Sequence, residues 1–259
     1  MIDLHCHILP GVDDGPSSAA ESLSMARQAI ADGIKTIVAT PHTLNGVYYN
    51  PFQGVADQVA RLRAIFLKER LALDLYPGSE SYICVQMVQQ VATGEVGTIN
   101  GNGRYVLVEF PFQAIPPGAK DELFQLKLKG ITPIIAHPER NLVIQRQLEI
   151  LYELVAMGCL IQITAMSVTG ELGEKAMMCA HRLLDLRLAH VIASDAHSAD
   201  TRAPILSPAV EIAGLIMESP KEADEMVSAR PGAILAGEPV ALPEPKRPPK
   251  KRWWFGKKG

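Results

Sequence analysis

Seven short apolar runs, separated by longer amphipathic ones, constrain this 259-residue chain more than any other feature. The runs are IDLHCH (2–7), KTIVATPH (35–42), LALDLYPGSE (71–80), RYVLVEF (104–110), ITPIIAHPE (131–139), CLIQITA (159–165) and AHVIASDAH (189–197). They are rich in Ile, Val and Leu and nearly continuous in apolarity, which marks strands buried on both faces, as in a parallel sheet. Helical patterns lie between them at about 17–32, 55–71, 82–93, 118–129, 143–157, 171–187 and 204–217. In the first, Ser17 or Ser18 caps the N-terminus, Leu23, Ala26, Ala29 and Ile30 form one stripe, and Gly33 ends the helix. Seven strand–helix units predict an α/β fold, a barrel-like parallel sheet inside a helical ring.

The ends of the runs carry the chemistry. The first ends on His5 and His7, the second on His42, the third on Glu80 and the fourth on Glu109. The fifth delivers His137 and the seventh Asp195 and His197. A Gly/Pro-rich loop after the first run adds Asp13 and Asp14. In a parallel barrel the C-terminal strand ends converge on one face, where catalytic residues sit. Any one such histidine has a plain structural explanation, and His181 and His190 are read that way. Six of seven strands ending alike do not. Buried acids and imidazoles packed together are costly unless cations lie among them. A mixed N/O donor set without thiolate favours Mn, Fe or Zn. Clustered ions acidify water and neutralise phosphate charge. Which of Asp13 and Asp14 is the ligand stays open on spacing alone.

Composition removes other classes. No apolar run approaches the ~18 residues of a membrane span, and no secretory leader pattern opens the chain, so a cytoplasmic location is expected. Cys6, Cys84, Cys159 and Cys179 form no C-x-x-C pair, and none has Arg six positions later. A zinc ribbon, a disulfide framework and a cysteine-nucleophile phosphatase loop are therefore disfavoured. Residues 246–259, KRPPKKRWWFGKKG, hold seven basic side chains and no acid, while residues 1–245 carry a net charge of −10. An acidic body with a basic tail is not the profile of a nucleic-acid binder.

These residues resemble the PHP superfamily, named for polymerase and histidinol phosphatase domains. The matching pieces are D-x-H-x-H at 3–7, PH at 41–42, the acid after strand three, HPER at 137–140 and SDAH at 194–197. MIDLHCHILPGVDDGP, ATPHTLNGVYYNP, AHPERN, ITAMSVTGELG, SDAHSADTR and ARPGAILAGEP are similar to the bacterial manganese-dependent protein-tyrosine phosphatases of capsule and exopolysaccharide operons. The resemblance runs over residues 1–240 and leaves 241–259 as a Pro-rich basic tail, expected to be disordered. It implies a distorted (β/α)7 TIM-like barrel with three metal ions, most simply Mn. His5, His7, Glu80 and Asp195 would hold the first; Glu80 would bridge to a second with Glu109 and His137. Asp14, His42 and His197 would hold the third, the resemblance favouring Asp14 over Asp13. Arg140 and Arg202 match positions that contact phosphate, as a forked guanidinium suits. One departure is Tyr82, which stands where the family's G-x-E-I-R has its arginine, so any role of that arginine in oligomer contacts does not carry over.

The expected activity is hydrolysis of a phosphomonoester, phosphotyrosine on a protein, with His42 or a water as proton donor to the phenolate. The implied partner is the tyrosine cluster at the C-terminus of a membrane-associated autokinase that controls polysaccharide export. Histidinol-phosphate hydrolysis is the rival within the superfamily, and a metal-stabilised regulatory module the rival outside enzymes. The tail's lysines beside WWF suit an anionic membrane surface.

Overall fold

The structure, a computed structural model, describes residues 1–249. Seven parallel strands follow one another around a curled sheet, two of them broken in the middle. The first is β1 (Ile2–Cys6), and the second is split into β2 (Thr36–Ala39) and β3 (His42–Thr43). The third is likewise split, into β4 (Asp74–Pro77) and β5 (Glu80–Tyr82). β6 (Tyr105–Glu109), β7 (Thr132–Ile135), β8 (Leu160–Thr164) and β9 (Val191–Ala193) complete the set. Pairing runs β1-β2-β4 on one side and β3-β5-β6-β7-β8-β9 on the other, always between sequence neighbours. β9 returns to β1 beyond its own end: Asp195 N–H donates to His5 O and His7 N–H to Ala196 O, both at 2.8 Å. The distorted (β/α)7 arrangement expected from the sequence is the one observed.

Helices cover the outside. α1 (Ala19–Ala31), α2 (Phe52–Lys68), α3 (Met87–Thr93), α4 (Ala119–Leu128) and α5 (Glu149–Ala156) follow the first five strands. α6 (Ala165–Thr169), α7 (Glu174–Asp185), α8 (Ser207–Ile216), α9 (Pro220–Glu225) and α10 (Ala229–Ala236) follow the last two. At α1 both candidate caps act. Ser18 Oγ accepts from Glu21 N–H at 3.3 Å, while Ser17 donates its N–H and hydroxyl to the Glu21 carboxylate. Such reciprocal capping fixes the helix start and so the loop before it.

Two apolar layers result. Leu62 and Phe66 of α2, Leu123 and Leu126 of α4, Leu151 of α5 and Leu183 of α7 pack between helices and sheet. Inside the barrel, Leu4, Val38, Leu107, Ile134, Leu160 and Val191 meet Ile99 and Ile234. Ile234 comes from α10, which lies across the strand starts: Ile2 N–H donates to Val227 O, and Tyr105 OH to Glu238 O. The N-terminal mouth of the barrel is therefore stopped with side chains, and only the opposite mouth is left for chemistry.

Three local differences from the sequence reading have physical reasons. The helix expected from 82 starts at Met87, because Glu80–Tyr82 is strand, paired with His42–Thr43 and with β6. Gly78 forces the break before it, since a Cβ there would lie 2.9 Å from Val38 Cγ1. The helix expected over 143–157 is regular only from Glu149, after a turn organised by Asn141.

Residues 250–259, which carry most of the basic tail and its WWF, lie outside the described residues. Before them, Lys246 N–H donates to Leu186 O at 2.8 Å and the Arg247 guanidinium pairs with Glu149 and lies 5.4 Å over the Tyr152 ring. No helix among the described residues is long and apolar enough to cross a membrane.

Candidate metal centre

An irregularity in β1 aims the first two histidines. Asp3 sits opposite Ile37 but Cys6 opposite Ala39, so β1 carries one residue more than its partner. Up to that point Ile2 and Leu4 face the barrel interior, while Cys6 faces the helices. The extra residue flips the alternation, and His5 and His7 turn inward. Bulges next to active sites re-aim side chains in this way. His137 and Asp195 arrive on left-handed backbone, φ 30° and φ 51°. Non-glycine residues there are costly and cluster at functional sites.

Nine side chains meet at the open mouth. His5 Nε2 and His7 Nε2 lie 3.1 Å apart. Glu80 Oε2 is 3.3 Å from each of them, and Asp195 Oδ1 is 3.4 and 3.5 Å away. His5 Nε2, His7 Nε2 and Glu80 Oε2 thus stand close enough together for one ion to touch all three, with Asp195 beside the two histidines. Glu80 reaches further: its Oε1 is 2.7 Å from His137 Nε2, and its Oε2 2.9 Å from His42 Nδ1. Glu109 stands 3.8 Å from both histidines. On the outer side, Asp14 Oδ1 is 3.6 Å from His42 Nε2 and 3.3 Å from His197 Nε2. Three donor groups follow from these contacts: His5, His7 and Glu80; His42, Glu80 and Glu109; His7, Asp14, His42 and His197.

The electrostatics of the cluster favour cations. Burial, then the neighbouring Glu80 and Asp195, push the Glu109 carboxyl up to about 9. Burial also opposes ionisation of Glu80 and Asp195, but His5 and its neighbours hold both well below the ordinary carboxylate range. The His197 imidazole, its Nε2 3.3 Å from Asp14 Oδ1, holds the Asp14 carboxyl down. His42 Nδ1, Glu80 Oε2, Glu109 Oε2 and His197 Nε2 are buried and lack a hydrogen-bond partner among the described residues. Orphaned donors and acceptors facing one space are what an ion-binding cluster leaves.

Three histidines are held in the tautomer that an ion needs. His5 Nδ1 bonds Gln162 Oε1 at 3.0 Å, His7 Nδ1 bonds Asp13 Oδ2 at 2.7 Å, and His197 Nδ1 bonds the Asp195 carbonyl at 2.9 Å. Each acceptor keeps the proton on Nδ1 and leaves the Nε2 lone pair toward the site. Asp13 is thus occupied with His7, with the His42 N–H at 3.1 Å and with the Gly15 N–H at 3.0 Å. Asp14 alone of the pair faces the other donors.

Gln162 has no counterpart in the sequence reading. It is the polar residue inside the sixth apolar run, the one strand without an acid or histidine at its end, and that was the available signal. Its Oε1 also accepts from His137 N–H at 3.3 Å, so it links two of the clustered histidines. Asp3, noticed only as part of a motif, accepts from His5 N–H, Ser194 N–H and the Ser194 hydroxyl and ties β1 to the strand-seven end. His181 and His190 lie elsewhere, on Val168 O and Ile161 N–H.

Both arginines reach the mouth. Arg140 Nη1 and Arg202 Nη2 lie 2.8 and 2.6 Å from Asp195 Oδ2, and Arg140 also stacks 4.6 Å over Phe112. Two guanidinium forks side by side have the geometry to pair with an anion such as a phosphoryl group.

Fold and site together define the class, a parallel α/β barrel gathering ion-ligating side chains at the C-terminal ends of its strands. Within that class the chain belongs to the capsular polysaccharide synthesis family CpsB/CapC, whose family model matches residues 1–235. It is 38% identical over 256 residues to the tyrosine-protein phosphatase YwqE of Bacillus subtilis (strain 168), covering 99% of both chains. It is 36% identical over 256 residues to the putative tyrosine-protein phosphatase CapC of Staphylococcus aureus, again with 99% of both covered. A crystal structure from work on YwqE of Bacillus subtilis and CpsB of Streptococcus pneumoniae, described as unique metal-dependent tyrosine phosphatases, superposes with a TM-score of 0.91. That match has 37% identity and covers 96% of this chain and 100% of the other.

Proposed function

We propose that this protein is a metal-dependent phosphatase that removes phosphate from protein phosphotyrosine, in the cytoplasm at the inner face of the membrane. The observation that carries the reading is the convergence of Arg140 and Arg202 on Asp195, beside the donor set of His5, His7 and Glu80. His5, His7, Glu80 and Asp195 would hold a first ion, Glu80, Glu109 and His137 a second, and Asp14, His42 and His197 a third, a donor chemistry best suited to Mn, with Fe or Zn as substitutes. When bound, ions of this kind offset phosphate charge and acidify water.

The chain's own residues do the rest. Arg140 and Arg202 turn from Asp195 Oδ2 to the equatorial oxygens of the phosphoryl group, where their forks match its geometry. Asp195 is freed by the same movement. Phe112, 41% exposed and already under Arg140, offers an aromatic face for the substrate ring. A tyrosine phenolate has a pKa near ~10 and leaves without a strong acid. His42 is the most accessible of the five clustered histidines, its side chain 14% exposed, and it or a water is placed to give the phenolate its proton. No thiol competes as nucleophile: burial raises all four, Cys159 and Cys179 to about 12.

The mouth is open, with Asp14, Arg140 and Arg202 part-exposed, which suits a tyrosine on a flexible protein tail. The substrate we propose is the tyrosine cluster of a membrane-associated autokinase governing polysaccharide export. The test is phosphate release from a phosphotyrosine peptide and from histidinol phosphate in parallel, using chelator-stripped protein with and without Mn²⁺, Fe²⁺ or Zn²⁺. Metal-dependent release from the peptide, greatest with Mn²⁺, is expected. Release from histidinol phosphate alone moves the function to a small metabolite, and release from neither removes it.

A further inference from the structure

Two neighbouring cavities share part of their lining, and one of them begins beside Arg140. One, about 550 Å³, begins at Arg140 and Phe112 and runs past Leu142 to Lys175 in the first turn of α7. The other, about 250 Å³, shares Leu142, Gln145 and Lys175 with it and continues to Arg146, Met178 and Arg182. Together they form one groove leading away from the metal centre, between the 141–148 segment and α7.

The groove has an apolar floor and a basic rim. Leu142 and Met178 leave 41% and 57% of their surface exposed. Arg146, Lys175 and Arg182 are exposed and form no ion pair with the described residues. Glu174, at the end nearer Arg140, is the single acid along it. The surrounding body is acidic, with 18 basic and 28 acidic side chains in residues 1–245. An anionic peptide is therefore repelled by most of the surface and drawn to this strip.

One wall is preformed. Asn141 Nδ2 donates to Pro111 O at 2.7 Å and Ala114 O at 2.9 Å, while its Oδ1 accepts from Val143 N–H and Ile144 N–H. Gln145 Nε2 donates to Glu139 O at 2.9 Å. A groove fixed in advance lowers the ordering cost of binding.

We infer that this groove is a subsite for the segment flanking the target tyrosine, and that it selects an acidic peptide. Carboxylates of that segment pair with Arg146, Lys175 and Arg182, and an apolar side chain lies on Leu142 and Met178. The inference rests on the phosphotyrosine reading above.

The experiment measures kcat/KM on two phosphotyrosine peptides of equal length, one flanked by Glu and Leu, the other by Lys and Leu. Free phosphotyrosine serves as reference. The holoenzyme is expected to prefer the Glu peptide about tenfold, less in high salt, as several exposed charge pairs allow. In the double variant Lys175→Glu/Arg182→Glu the preference is expected to invert. The readout is a ratio within each enzyme, so a general loss of activity cancels. Equal rates on both peptides in the holoenzyme, or an unchanged ratio in the double variant, overturn the subsite while free phosphotyrosine hydrolysis leaves the activity standing. No hydrolysis of any phosphotyrosine compound overturns both.

Discussion

Asp13 Oδ2 meets His7 Nδ1 at 2.7 Å and so divides the work of two adjacent aspartates. Asp13 holds His7 in place, and Asp14 points at His42 and His197. Asp14→Ala is expected to lower the number of Mn²⁺ ions bound, leaving the inner set of His5, His7 and Glu80 able to load. Asp13→Asn is expected to keep the number but weaken binding about 10–100-fold, as loss of an outer-shell partner does. Calorimetric titration with Mn²⁺ separates the two, and identical curves for both variants would refute this division.

Gln162 supplies one oxygen to both His5 Nδ1 and His137 N–H. Gln162→Leu fills the same space without an acceptor. Ion affinity should fall at least about tenfold, and stability by about 1–3 kcal/mol from the unpaired groups. Gln162→Glu retains the acceptor and should restore much of the affinity. Metal titration and thermal melts check both; a Leu variant that binds ions normally removes the positioning role.

Arg140 and Arg202 engage phosphate rather than ions in this account. Lysine at either position keeps the charge but loses the fork. Each substitution is expected to cut kcat/KM about 10²-fold with ion content unchanged. Loss of bound metal in these variants would contradict that assignment.

His190 offers a pH test away from the site. Burial, then Arg230, lowers it from 6.5 to about 3, and its Nδ1 accepts from Ile161 N–H at 2.9 Å. Below pH 6.5 the unfolded chain takes a proton that the fold excludes. Its contribution is therefore present above that pH and is lost as pH falls toward the folded value. At pH 4.5 this loss amounts to about 2–3 kcal/mol relative to pH 7. His190→Asn keeps an acceptor and removes the titration, so urea unfolding of the variant should lose that much less between the two pH values. Parallel losses in both proteins would show that His190 is not the group.

Gly15 passes close to the first strand: a Cβ there would lie 2.3 Å from the His7 carbonyl oxygen. Gly15→Ala must push the 11–16 loop outward and carry Asp13 and Asp14 with it. The expected result is a folded protein, normal by circular dichroism, with weakened Mn²⁺ binding. Unchanged binding would mean that the loop adjusts without moving the aspartates.

The strand-end residues were legible because each stood at the close of an apolar run, and a parallel barrel brings such ends together. His42, Glu80, Glu109 and His137 needed no more than that. Asp13 and Asp14 could not be told apart, since neighbouring acids share one spacing and only the turn around Gly15 decides which faces inward. The third run was legible through Gly78 to Glu80 as one strand, but its break at Gly78 and its continuation to Tyr82 were not, because residues 81–82 read equally well as the start of the next helix. α10 was illegible for another reason: Pro231 and Gly232 sit inside ARPGAILAGEP, yet proline is tolerated in a first helical turn. Gln162 carries no charge and so did not register, although its place in an apolar strand was anomalous.

The extra residue in β1 works as a phase shifter. Before it, the strand's inward positions seal a hydrocarbon interior through Ile2 and Leu4; after it, they serve an ionic one through His5 and His7. Sealing and chemistry are thereby written in opposite reading frames of β1 and the residue that follows it. Substitutions that preserve the seal can drift without touching the ligands. Deleting Leu4 would take out the extra residue and one sealing side chain with it, and turn both imidazoles toward the helices.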